Sequence, residues 1–219
     1  CPAPSTSLLS LSPAVPDRPA LRGEARLPTW RLVACVFLPF AAGYYLAYLF
    51  RTINALISGP LQSEQGLEAP DLGFLTSVYF LTLAAAQIPI GMLLDRFGPR
   101  LVQSGLLLVA AGGAAVFATA TGFVPLLIGR AMIGLGVAAA LMAGLKAIAI
   151  WFPRERVAQV NGYMVMLGGL GAVTATAPAE ALLAWMGWRG LFELLTAATA
   201  LSSIVIYVVV PESGKPIRT

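Results

Sequence analysis

The sequence has no histidine and only two cysteines, Cys1 and Cys35. Without a Cys/His cluster at ligand spacing there is no basis for a metal site, and two cysteines cannot build a disulfide framework. Cys35 lies inside an apolar run and reads as a small apolar filler. Charge is scarce too: 11% of the residues are charged and 58% are hydrophobic, whereas a soluble domain carries about 25% charged residues. Water is therefore not the main solvent of this chain. The strict alternation of a barrel strand is also missing. Backbone groups in lipid must be satisfied within their own segment, which leaves membrane-crossing helices. No cofactor is implied.

What the chain has instead is long uncharged runs. About 20 apolar residues cross the ~30 Å hydrocarbon layer, and six runs are long enough. They predict helices over about 32–58, 72–94, 101–121, 123–151, 157–179 and 188–210, with Thr121, Gly122 and Pro125 separating the third from the fourth. Residues 1–30 are rich in Pro and Ser without helical periodicity and read as a disordered tail. The expected fold is thus an all-α integral membrane six-helix bundle over 31–212, with 213–219 opening a further loop.

Basic residues sort by side. With the tail in the cytoplasm, the same side receives the loops at 95–100 and 153–156 and the carboxyl end, and so nearly all the arginines outside the runs. The opposite side receives Arg189 together with Glu64, Glu68, Asp71 and Glu180. This bias predicts both termini in the cytoplasm. Basic residues spread over short membrane loops point to membrane lipid as the partner and away from nucleic acid.

One internal repeat is visible. Leu93-Leu94-Asp95-Arg96-Phe97-Gly98-Pro99-Arg100 and Leu182-Leu183-Ala184-Trp185-Met186-Gly187-Trp188-Arg189 share the pattern L-L-x-x-apolar-G-x-R, offset by 89 residues. Each follows the second helix of a set of three. Three is odd, so the second set runs the other way, an inverted 3+3 repeat of the kind many secondary transporters use.

The stretch Gly91-Met92-Leu93-Leu94-Asp95-Arg96-Phe97-Gly98-Pro99-Arg100 strongly resembles the major facilitator signature G-x-x-x-D-R-x-G-x-R between helices 2 and 3. Its chemistry suits a helix end: Gly91 permits close helix approach, Gly98 a tight turn, and Asp95 can accept bonds from Arg96 or Arg100. Arg130-Ala131-Met132-Ile133-Gly134-Leu135-Gly136 is similar to the family's R-x-x-x-G-x-G stretch, and Gly187-Trp188-Arg189 to its G-W-R turn. The fifth run, through Gly168-Gly169-Leu170-Gly171, departs from the G-P-x-x-G-G pattern of drug/proton antiporters. The resemblance implies the amino-terminal half of a twelve-helix secondary transporter, with Asp95, Arg96 and Arg100 in a gating latch. A second six-helix half is then missing from this chain, which is either a fragment or a half that pairs.

Cations inside membrane runs are costly and face a cavity or a polar group. On an ideal helix Tyr44, Tyr48 and Arg51 fall within about 60° of one another, an aromatic and cationic stripe suited to an anion. The stripe also resembles organic-anion branches of the family. The alternative is that Arg51 ends its run and snorkels to the surface. Arg130 lies roughly 10 Å deep at ~1.5 Å per residue, and either touches substrate or bonds helix 1 and backbone carbonyls. Lys146 reads as snorkelling. Gln87 and Asn161 either bond a substrate or glue helices together. Good candidates for a proton-coupling carboxylate are absent.

The expected function is therefore alternating-access transport of a small solute, an anion by this reading, in a bacterial inner membrane. A six-helix scaffold that keeps the fold without transport is the alternative. No G-x-S-x-G, histidine or metal constellation supports an enzyme.

Overall fold

A computed structural model of the chain describes residues 29–211; the expected tail, apart from its last two residues, and the terminal loop lie outside the described residues. Among those residues all regular structure is helical. We number the helices α1 (Trp30–Leu56), α2 (Ser58–Gln65), α3 (Ala69–Ala118), α4 (Phe123–Trp151), α5 (Arg154–Thr174) and α6 (Ala177–Val209). α1, α3, α4 and α6 are long and apolar enough to cross a membrane. α5 has 21 residues, but Arg154, Glu155, Arg156, Gln159 and Asn161 lower its apolarity over the first turns.

Two of these helices are pairs joined at a glycine. Gly98 (φ 77°, ψ 165°) divides α3, and Gly187 (φ 71°, ψ 174°) divides α6. Only glycine enters this region without strain. The repeated L-L-x-x-apolar-G-x-R pattern thus becomes a repeated backbone break between a first arm and a second arm. The arginine two residues past each glycine does the same work in both copies. Arg100 Nε donates to the Tyr207 carbonyl near the end of α6, at 2.8 Å. Arg189 Nη1 donates to the Ala118 and Ala120 carbonyls at the end of α3, both at 2.9 Å. Each second arm carries, at its start, the cap for the carbonyls that end the other, so the two arms lie antiparallel.

Glycines then let the helices touch backbone to backbone. A Cβ on Gly136 of α4 would stand 2.4 Å from the Ala110 nitrogen of α3, and one on Gly129 would stand 2.8 Å from the Gly113 carbonyl oxygen. α5 meets α1 the same way, with Gly168 against the Tyr44 ring and Gly171 against the Tyr45 carbonyl. Close approach of this kind drives helix association where lipid removes the hydrophobic incentive.

Four departures from the expected helices have a local cause. Val33–Phe37 is π-helical, because Pro39 has no N–H to continue the α ladder. α2 was not expected, since Gly59, Pro60 and Gly66 read as loop; it ends at Gly66 in the left-handed conformation (φ 66°). α3 starts at Ala69 behind a reciprocal cap, in which the Asp71 carboxylate accepts from the Glu68 N–H at 3.0 Å. α5 stops at Thr174 and helix resumes at Ala177, because Pro178 has no N–H for an unbroken ladder and would clash with the carbonyl four residues back, whereas the first turn of a new helix accepts it.

The end bearing Arg96, Arg100, Arg154 and Arg156 is the basic end. At the opposite end α2 is pinned across the bundle: Trp188 Nε1 donates to Glu64 at 2.7 Å, and the Gly122 N–H donates to Gln65 at 2.9 Å.

Gly136→Ala is expected to open the α3–α4 seam, since its new methyl meets backbone atoms on Ala110 and Leu106. The cost is about 1–3 kcal/mol, read as a lower melting temperature of the full-length protein in detergent. Gly59→Ala, where a Cβ meets nothing within 4 Å, is expected to leave it unchanged. Equal melting temperatures would show that the seam tolerates the methyl.

Candidate functional site

The stripe on α1 is assembled as its spacing suggests. Tyr44 is buried, and its ring stands edge-on to Tyr48 with centroids 5.1 Å apart. Tyr48 is half-buried and Arg51 is exposed. The Arg51 guanidinium carbon lies 6.0 Å from the Tyr48 ring and 5.1 Å from that of Phe80 on the first arm of α3. Sequence reasoning missed Phe80, because nothing in the α3 run ranks one aromatic above another until α1 is packed beside it. The faces of two rings attract the cation by about 0.5–1 kcal/mol each at an exposed site. They leave its hydrogen-bond donors unused: among the described residues Arg51 has no hydrogen bond and no carboxylate partner.

Arg130 is held in another way. It is 1% exposed. Its Nη1 donates to the Phe50 carbonyl at 3.4 Å and its Nη2 to Asn54 Oδ1. The rings of Phe117 and Phe192 lie 4.9 Å and 5.7 Å from its guanidinium carbon. Asn54 Nδ2 donates onward to Thr76 Oγ1, and the Thr76 hydroxyl donates to the Leu72 carbonyl. One run of bonds therefore ties α4 through α1 to α3. The structure does not bring Arg51 and Arg130 to a common surface: the first is exposed, whereas the second is enclosed with its terminal nitrogens on α1. Of the two roles open to Arg130 in the sequence, these contacts are those of a brace.

At the basic end Asp95 has a partner other than the two expected. Asp95 bonds neither neighbour named for it. Its partner is Lys146 of α4, whose Nζ reaches Asp95 Oδ1 at 2.5 Å and also donates to the Leu94 carbonyl at 2.9 Å. Lys146 is therefore not simply a cation snorkelling to water. Arg96 lies over the Phe97 ring at 5.2 Å, and Arg100 over the Tyr207 ring at 5.0 Å. Gly98 makes the turn expected of it. Gly91 makes no close approach, since a Cβ there would meet nothing within 4 Å. Gln87 is half-buried on the first arm of α3. Asn161 of α5 has a buried Oδ1 that lacks a partner among the described residues. Among the described residues no hydrogen bond joins either amide to the Arg51 stripe.

The Arg130 brace predicts a thermal signature. Asn54→Leu removes a charge-assisted bond worth about 1.5–3 kcal/mol, and Arg130→Lys loses the fork that reaches two acceptors. Each is expected to lower the melting temperature of the full-length protein, and the double variant by less than the sum, because both act on one network. Additive losses would mean that the two side chains work independently.

Comparison with known proteins places this arrangement. The sequence matches the Major Facilitator Superfamily over residues 34–219. It is 29% identical over 178 residues to a probable L-galactonate transporter of Escherichia coli (strain K12), covering 81% of this chain and 39% of that protein. It is 38% identical over 112 residues to a nitrate/nitrite transporter of Picosynechococcus sp., covering 51% of this chain and 21% of that protein. A probable sulfoacetate transporter of Cupriavidus necator is 28% identical over 157 residues, 71% of this chain and 36% of that protein. The chain thus spans well under half the length of each of these relatives. With a matching sequence family, an all-helical membrane fold and the glycine break of the signature loop in place, the chain belongs to the major facilitator superfamily.

Proposed function

We propose that this chain is the amino-terminal six-helix half of a secondary transporter that moves a small anion by alternating access, with Arg51 as the residue that meets the substrate's charge. The observation that carries this reading is an exposed guanidinium that lies over two aromatic rings and has no acid paired with it among the described residues. The N–H groups of Arg51 meet no acceptor among the described residues, and a substrate anion supplies one. The planar fork can offer two N–H groups to one carboxylate, nitrate or similar anion. Tyr48 extends the same surface, with Tyr44 buried behind it against α5, and Gln87 and Asn161 remain candidates for further contacts. The similar proteins named for galactonate, nitrate and sulfoacetate agree with an anionic substrate.

The rest of the chain makes this half rigid and gives it a handle. Glycine seams and the Arg130 brace leave little to deform, so the half moves as a body against its missing partner, about a site between the two. Asp95 and Lys146 lie at the basic end, which we place in the cytoplasm of a bacterium with both termini on that side of its inner membrane. There the pair fixes the end of the first arm of α3 against α4, with the loop carrying Arg96 and Arg100 beside it as the gating latch.

Arg51→Lys keeps the charge and loses the fork. It is expected to cut uptake of labelled carboxylate or nitrate by full-length transporter in proteoliposomes by about tenfold at normal expression. Transport of a neutral or cationic solute in preference to any anion would remove the site. For the latch, Asp95→Asn is expected to favour the form open to the cytoplasm, read as side-specific cysteine labelling. The exchange Asp95→Lys with Lys146→Asp restores the original labelling if the pair itself holds the loop. Unchanged labelling in Asp95→Asn would leave Asp95 without a gating role.

A further inference from the structure

The repeat that makes the two second arms alike also shows where they differ. In the second arm of α3, Gly113 is pressed onto α4: a Cβ there would stand 2.7 Å from Met132 Cβ and 2.8 Å from the Ile133 nitrogen. The offset of 89 residues carries Gly113 onto Ser202 of α6. There the corresponding seam, against α1, has not closed. A groove of about 410 Å³ runs between the helices, with Ala34, Leu38 and Ala42 on one wall and Ala198, Ser202 and Val205 on the other. It is apolar except for two hydroxyl-bearing side chains, Tyr45 and Ser202. Ser202 is 8% exposed, and its Oγ has no hydrogen-bond partner among the described residues. A buried hydroxyl without a partner costs about 1–3 kcal/mol, and Ser202 is among the residues that line the groove.

The groove is not part of the substrate surface. Ala42 lies about 160° around α1 from Tyr44, so the groove opens on the side of α1 away from Tyr44, Tyr48 and Arg51. One end of it, at Ala34 and Val205, lies toward the basic end. Arg31, one turn before Ala34, is exposed there, with its guanidinium carbon 5.3 Å from the ring of the exposed Trp30. An aromatic ring and a basic side chain at the end of a membrane helix mark the headgroup level. Tyr207, another exposed ring, stands near the same end of α6. Ser202 lies five residues inward from Tyr207, roughly 7–8 Å at ~1.5 Å per residue, which is ester depth beneath a headgroup.

We propose that the α1–α6 groove binds an anionic phospholipid: one acyl chain fills the groove, the Ser202 hydroxyl donates to an ester carbonyl, and Arg31 meets the acidic headgroup. The charge at the basic end selects the headgroup, and the apolar walls select the chain. A lipid held there completes the packing that Gly113 completes with α4 alone.

The test uses the full-length transporter with a benzophenone amino acid at Ala42, in nanodiscs of phosphatidylglycerol or of phosphatidylcholine, irradiated and analysed by mass spectrometry. A phospholipid adduct is expected, about fivefold more abundant with phosphatidylglycerol. Arg31→Gln should abolish that preference, and the same probe at Ile204, exposed and outside the groove, should show none. Equal yields from the two lipids at Ala42, or the same preference at Ile204, would reduce the signal to bulk bilayer and overturn the site. So would an adduct to a peptide, whether from this chain, its second half or a second copy. Native mass spectrometry of the unlabelled protein gives an independent reading: wild type retains added phosphatidylglycerol, whereas Arg31→Gln and Ser202→Val lose it. Equal retention by all three overturns the proposal.

Discussion

A helix that ends in a membrane leaves carbonyls with no water to receive them, and this structure settles that problem with arginine. Arg100 and Arg189 each stand two residues past a glycine break, and each bonds the carbonyls that close the other's helix. The glycines reverse the chain, the arginines secure the ends, and the second arms of α3 and α6 are held side by side. Everything between those two ends can then pack closely, because neither end frays.

Close packing is where glycine and the buried cation work together. Gly129 and Gly136 bring α4 against α3, which places Arg130 against the stacked rings of Phe117 and Phe192 and within reach of α1. The charge is buried without a carboxylate, so backbone and amide oxygens and aromatic faces must stabilise it. Arg51 differs from Arg130 chiefly in what surrounds it. It has rings but no oxygen, and for that reason it is the cation with binding capacity to spare.

Much of this was legible in the sequence. The uncharged runs marked the long helices, and the repeated L-L-x-x-apolar-G-x-R pattern marked both breaks, because glycine and proline act locally. The Tyr44, Tyr48 and Arg51 stripe followed from 3.6-residue periodicity alone. The rest depended on which helix lies beside which. Asp95 could not be paired with Lys146 from spacing, since the two are far apart along the chain, and two nearer arginines competed for it on paper. The role of Arg130 turned on Asn54, an unremarked residue near the end of α1. α2 was hidden because its Gly and Pro content reads as loop. Its tie to the bundle comes from Trp188, whose own motif suggested only a turn.

The reciprocal caps bear on how such a fold arose. Neither three-helix set can satisfy its own ends, because each arginine needs a carbonyl that the other set provides. One set alone would leave its arginine and its helix-end carbonyls without these partners, and two copies in opposite orientations would supply them to each other. Fusion of two such copies would then fix opposite orientations in one polypeptide, after which the two seams were free to diverge, one closing on glycine and the other, at Ser202, staying open.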